Sequence, residues 1–247
     1  MLTRARWLAL AGLAFGAAGC TVHIGEGGRP ARPGRTERHT QIIERSKAAG
    51  AEMIRAEVAM AAGELHLSGG ATELLEGEFA YNVLAFKPEV RFDGGGFRGR
   101  LTVKQPSGGA TSMIGDIENR WDLKLANGLP LDLVVHCGAG ENRLDLRELT
   151  LRSVEAHIGV GEMRMDLRNK PAKDYEVRID GGIGHAEVIV PTDVGVVAEA
   201  SGGIGEINVR GMKRDGNRWV TTEYEKGKPT IRLTVKGGIG QIDIRAE

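Results

Sequence analysis

Histidines, cysteines and a recurring column of glutamates are the side chains of this 247-residue chain whose types and spacing could do chemistry. His136 and His157 occupy equivalent places in a repeated motif, with Cys137, Glu141 and Glu162 close by and His185 one residue past a glycine in a third copy. If equivalent places stack at the strand spacing of about 4.8 Å, the two imidazoles become candidate ligands for a transition metal. The same column continues as Asp180, Ser201 and Lys236, types that no shared metal site would select. It therefore reads as a ladder of half-exposed strand residues, and neither metal nor cofactor is expected. A second column holds Glu64, Glu141, Glu162, His185, Glu206 and Gln241. Stacked carboxylates could bind calcium or act as an acid and base pair, as in glycoside hydrolysis, where two carboxylates face each other across a cleft. Arg143 and Arg164 lie two residues further on, where ion pairing would neutralise part of the repulsion. With aromatics at only 4% there are few rings to stack a sugar, so the ladder reads as structural and no catalytic residue is expected. Cys137 reads as a small buried residue.

The element that must position these columns is an internal repeat. Aligned on the second glycine of a Gly-x-Gly corner, the copies are HCGAGENRLDL from His136, HIGVGEMRMDL from His157, DGGIGHAEVIV from Asp180, SGGIGEINVRG from Ser201 and KGGIGQIDIRA from Lys236. The second glycines, Gly140, Gly161, Gly184, Gly205 and Gly240, are spaced 21, 23, 21 and 35 residues apart, a unit of about 21 with one insertion before the last copy. A degenerate copy, MAAGELHLSGG from Met60, keeps only Gly63. Residues four past the second glycine are Leu144, Met165, Val188, Val209 and Ile244; residues between the glycines are Ala139, Val160, Ile183, Ile204 and Ile239. Both columns are apolar, and both are expected to face the core. Polar residues alternate with the first column, which is the period of a strand with one buried face. A second strand precedes each corner, as in VEAHI from Val154, YEVRID from Tyr175, VVAEAS from Val196 and IRLTVK from Ile231. The expected architecture is all-β, a β-solenoid whose single units cannot bury an apolar face and whose core exists only by stacking. Each corner is followed by a strand, so none offers the helix N-terminus of a nucleotide-binding loop.

The N-terminus has a different character. Arg4 and Arg6 precede an uncharged apolar run, Trp7 to Ala18, which is shorter than the ~20 residues a spanning helix needs. The run ends at Ala17-Ala18-Gly19-Cys20 and resembles a bacterial lipobox. Residues 1–19 are then a lipoprotein signal peptide, and Cys20 carries the acyl chains that hold the protein on a membrane. Thr21 follows Cys20, with no Asp to argue for inner-membrane retention, so an outer membrane is expected where there are two. Residues 20–39, rich in Gly, Pro and Arg, read as a flexible tether. Removing the leader leaves the mature chain with 31 basic and 33 acidic residues, no surplus for nucleic acid. With Cys20 acylated, Cys137 has no disulfide partner.

Residues 40–247 form one solenoid domain in this reading, irregular over 40–118 and regular over 119–247. The irregular part contains the strand patterns MIRAEVAM, EVRF and GRLTVKQ, punctuated by Asp93-Gly94-Gly95-Gly96 and Ser107-Gly108-Gly109. WDLKL from Trp121 and LPLDLVV from Leu129 are expected to make the first full turn of the regular stack. Residues 211–230 read as a hairpin projecting from it, turning at Asp215-Gly216, with Trp121 and Trp219 capping open edges.

The run AGELHLSGGATELLEGEFAYN, then KPEVRF, GRLTVKQP, NRWDLKLANGLPLDLVVHCGAGENRLDL and the serial GGIG corners, resembles the toast-rack β-solenoid proteins. These are similar to LiaF-like envelope-stress proteins and to adhesin-head-like domains. The resemblance implies a toast-rack fold over about Met53 to Arg245. The resemblance implies membrane proteins that restrain a histidine kinase in the cell-envelope stress response, with the usual transmembrane segments replaced here by an apparent lipid anchor. Three functions follow as expectations: a non-catalytic binding or scaffolding lipoprotein of the cell envelope, with a protein or glycan partner on the solenoid face; a LiaF-like regulator of a sensor kinase; and, third, a polysaccharide-active enzyme. The C-terminal IGQIDIRAE stops after its last strand, so that edge is expected to be open and able to pair with another copy.

Overall fold

The computed structural model describes residues 33–106, 116–226 and 229–247; residues 1–19, expected to be a signal peptide, Cys20 and Ser107 to Gly109 lie outside them. Alternating apolar residues with few helix-favouring stretches make the described residues 68% strand and 3% helix. In chain order the first strands are β1 (Glu37–Ile43), β2 (Met53–Ala71), β3 (Leu75–Tyr81), β4 (Glu89–Asp93), β5 (Arg98–Lys104) and β6 (Asn119–Ala126). Then come β7 (Leu131–Asp145), β8 (Leu151–Asp166), β9 (Tyr175–Val190), β10 (Gly195–Arg210), β11 (Lys213–Asp215), β12 (Arg218–Val220) and β13 (Thr230–Ala246).

β2, β7, β8, β9, β13 and β10 are long parallel rungs, in that spatial order. Each rung has two limbs joined at its glycine corner, and the inward residues of both limbs share one core. In β7 these are Leu133, Val135 and Cys137 before the corner, and Asn142 and Leu144 after it. The column four past the second glycine is buried at Leu144, Met165, Val188 and Ile244, with Val209 partly buried. Burying a side chain of this size contributes roughly 1.5–3 kcal/mol, so the stacked columns are the main stabilising feature of the domain.

Four expectations are corrected. The column between the glycines faces solvent: Val160, Ile183, Ile204 and Ile239 are at least half exposed. The reason lies in the flanking glycines. A Cβ on Gly159 would stand 2.3 Å from the Gly138 carbonyl oxygen, and one on Gly161, where φ is +131°, 2.0 Å from that of Gly140. Both flanking positions therefore point along the stack into the neighbouring rung, and the residue between them is left on the outside of the bend.

The C-terminal strand is not an edge. β13 inserts between β9 and β10 and is paired on both sides along its length, because residues 211–230 give the chain enough length to step back over β10. The third correction concerns WDLKL. It lies in β6, on the opposite side of β2 from β7, so the first full rung is β2, and β7 is the second.

Shorter strands finish the stack. β5 covers the first limb of β2, with β4 beside it; β6 covers the second, followed by β3 and β1 in antiparallel pairing. Trp121 in β6 is fully buried edge-on against Phe79, and its indole N–H donates to Asn119 at 3.0 Å. At the other end β11 and β12 form a two-residue hairpin turning at Gly216 and Asn217. It folds down on the first limb of β10, with Val197 opposite Val220 and Ala198 opposite Trp219, and so covers an edge where a projecting hairpin was expected.

Candidate functional site

The corners are where this fold presents something other than a solvated sheet. Register aligns Val160 with Ile183, Ile183 with Ile239, and Ile239 with Ile204, making a ridge of β-branched side chains down the outside of the bend. Glycines on either side leave each of these residues no adjacent side chain on its own rung. Beneath the ridge the inward positions shrink to Gly181, Gly237 and Ala186, leaving a cavity of about 70 Å³ that Ile179, Val235 and Ile242 also line. A continuous apolar strip on an otherwise charged surface is the ordinary mark of an interaction site.

Beside the ridge runs the carboxylate column, in the spatial order Glu64, Glu141, Glu162, His185, Gln241 and Glu206. These groups stand on one face of one sheet, on adjacent strands, and not on opposite walls of a cleft. Glu141 pairs with Arg143 at 3.4 Å, and Glu64 with Arg120 at 3.9 Å. The next outward column is His66, Arg143, Arg164, Glu187, Asp243 and Asn208. In it Glu187 takes both Arg164 and Arg245, and His185 Nε2 lies 2.6 Å from Asp243. Partial burial opposes ionisation of Asp243, but hydrogen bonds from Gln241, His185 and Asn208 outweigh it and hold its carboxyl below the usual range.

A third charged group closes the turns after β7 and β8. Asp145 binds Arg147 at 2.6 Å, and Asp166 binds Arg168 at 2.7 Å; Arg147 reaches on to Asp166 at 3.6 Å. The Arg147 hydrogen bond holds Asp145 below the ordinary carboxylate value; for Asp166 burial works the other way and is outweighed by Arg168. Sequence reasoning passed over this network, although the signal was present as a repeated Asp-Leu-Arg at 145–147 and 166–168.

A family model for the N-terminal domain of toast_rack matches residues 32–189, more than half of the chain. The chain belongs to the toast-rack family. A second model, the C-terminal region of LiaF, described as a cell wall-active antibiotics response protein, matches residues 136–244. The toast-rack chain is similar to the crystal structure of a candidate cell adhesion protein from Clostridium sporogenes, at 28% identity and a TM-score of 0.81. That match covers 86% of this chain and 100% of the other. Adhesin candidates from Bacteroides fragilis and Parabacteroides merdae match 86% of this chain each, and 99% and 98% of their own, at 10% and 9% identity with TM-scores of 0.33 and 0.28. None of the curated proteins compared matches it.

In this toast-rack domain His136 and His157 do stand on adjacent rungs. Their rings stack with centroids 4.9 Å apart and planes at 6°, an arrangement that turns ring faces, not nitrogens, toward each other. His157 Nε2 lies 2.9 Å from Glu155 and Nδ1 3.6 Å from Asp180, so its polar atoms serve carboxylates on either side. No cluster of three or more His, Cys, Asp or Glu with metal-holding geometry occurs among the described residues. Cys137 is buried, which pushes its thiol up to about 12 and keeps it protonated and unreactive at neutral pH. No helix among the described residues is long and apolar enough to cross a membrane.

Proposed function

We propose that this toast-rack domain is a non-catalytic binding or scaffolding module of the cell envelope, held on a membrane by acylation of Cys20. Its partner docks on the outer face of the solenoid, across the corner ridge and the charged columns beside it. The observation that carries this reading is the ridge itself: Val160, Ile183, Ile239 and Ile204 in register, each at least half exposed. A merely solvated bend would not select β-branched residues at four successive rungs. Aliphatic side chains without aromatics favour a protein partner over a glycan, since sugars are held by rings. The adhesion-related description of the Clostridium sporogenes protein supports an envelope setting.

The test places a photo-crosslinking residue at Ile183 or Ile239, and separately at Arg143 or Arg164, in cells. One envelope protein joined from both ridge positions, with the adduct from position 183 lost in Ile239→Asp, is the expected result; no adduct from any of the four positions ends the reading. The anchor is tested apart from the partner: Cys20→Ser should move the protein from the membrane fraction to the soluble one.

A second reading rests on the match of residues 136–244 to the LiaF C-terminal region. In it the partner is a membrane sensor kinase, restrained until envelope stress. Deletion should then raise kinase-dependent reporter output in unstressed cells, and Ile239→Asp should do the same; unchanged output in both removes this reading and leaves the first. Hydrolysis of polysaccharide by the carboxylate column is tested by Glu141→Gln and Glu162→Gln, which should leave any glycan degradation by the preparation unaltered.

A further inference from the structure

The stack ends unevenly at β10. Its first limb is covered by β12, whereas the second, Gly202 to Arg210, has β13 on one side and no strand on the other among the described residues. The ridge is also most exposed here, with Ile204 at 71% and Ile207, on the following limb, at 37%. An open edge presents unpaired N–H and C=O groups that template a further strand, and soluble proteins blunt such edges with lysine, proline or a covering segment. The segment GGIGEINVR contains neither lysine nor proline.

This edge is complementary to itself. Laid antiparallel on a second copy about Asn208, it sets Glu206 opposite Arg210 twice and Ile207 opposite Val209 twice. Register sets Ile207 and Val209 beside the buried Ile242 and Ile244, on the core side, and strand alternation then puts Glu206, Asn208 and Arg210 on the other face. Neither Glu206 nor Arg210 has an ion-pair partner among the described residues, while the nearby Arg245 and Asp243 are taken by Glu187 and His185. Opposite charges directly across an antiparallel pair stabilise it, and a two-fold axis lets one patch satisfy itself.

We propose that the second limb of β10 pairs antiparallel with the same limb of a second copy, about a two-fold axis at Asn208, joining two solenoids end to end. The shared strand is short, so the dimer is weak and reversible, of the class that buries less than about 1,200 Å².

Sedimentation of the full chain in mild detergent over a concentration series is the test, with circular dichroism to show that each variant is folded. A reversible dimer is expected. Glu206→Arg and Arg210→Glu should each weaken it by about tenfold or more, and the two substitutions together should restore it. Cα atoms across such a pair lie about 4.5–5.5 Å apart, within disulfide reach. Asn208→Cys should therefore give an oxidation-dependent covalent dimer that the unsubstituted chain and Glu206→Cys do not. A monomer at every concentration without the Asn208→Cys dimer overturns the proposal. So does failure of the double swap to restore association, or growth of filaments, the sign of a head-to-tail contact that does not close.

Discussion

The two ends of the stack solve the same problem differently. At the β2 end, both limbs are covered by shorter strands, and Trp121 seals the junction against Phe79. At the β10 end only the first limb is covered, by a hairpin whose Trp219 is half-buried under Arg214, and the second limb is bare among the described residues. The difference teaches that capping is a property of each limb and not of the solenoid as a whole. It also places the least protected backbone beside Ile204, the most exposed residue of the corner ridge, where an association would form. Irregular sequence is what makes a good cap: the N-terminal strands break the repeat, reverse direction at β3, and so give no further rung a template.

The comparison can be broken or sharpened by measurement. The largest effect is expected at the sealed end, where Trp121→Ala empties a fully buried site and should cost about 3–5 kcal/mol in denaturant unfolding. Gly161→Ala, mid-stack, should cost about 3 kcal/mol, since the new Cβ meets the Gly140 carbonyl in a backbone region that only glycine tolerates. Trp219→Ala at the open end should cost about 1–2 kcal/mol, because that ring is only half-buried. If it equalled Trp121→Ala, the ends would not differ. Hydrogen exchange should be slowest in β2 and β7 and fastest in the second limb of β10; comparable protection there would mean that the edge is already paired.

Acid should produce a smaller change. Asp145, Asp166 and Asp243 are held below their ordinary value of 3.8 in the folded chain. An acid with a lowered folded pKa contributes stability that is fully present above its unfolded pKa and is lost as pH falls through the folded one. The melting temperature should therefore be flat from neutral pH to about pH 5 and decline below pH 4. Asp166→Asn should flatten that decline. Smallest of all, Ile204→Asp should change stability by less than about 0.5 kcal/mol, as befits an exposed site, while altering association.

Much of the fold was legible in the residues. Leu144, Met165, Val188 and Ile244 recur at one offset from a glycine, and that alone named the buried column, because a strand has only two faces and only one of them was apolar. The column Val160, Ile183, Ile204 and Ile239 misled for a physical reason. Composition implied burial, but the positive φ of the following glycine decides which way the bend opens, and a glycine has no side chain to announce its φ. The stacked histidines were legible as neighbours, though not the ring-to-ring geometry that turns their nitrogens apart.

Period and alternation thus determined by themselves that the chain winds into two-limbed rungs with glycine corners, since these depend on local backbone geometry and on burying one face. The order of the rungs was decided only by the tertiary structure. Each rung offers its neighbours nearly the same backbone and the same apolar column, so sequence cannot rank β10 above β13 as the neighbour of β9. Chain length between them, and the hairpin that needs the edge of β10, break that degeneracy and leave the bare limb where it is.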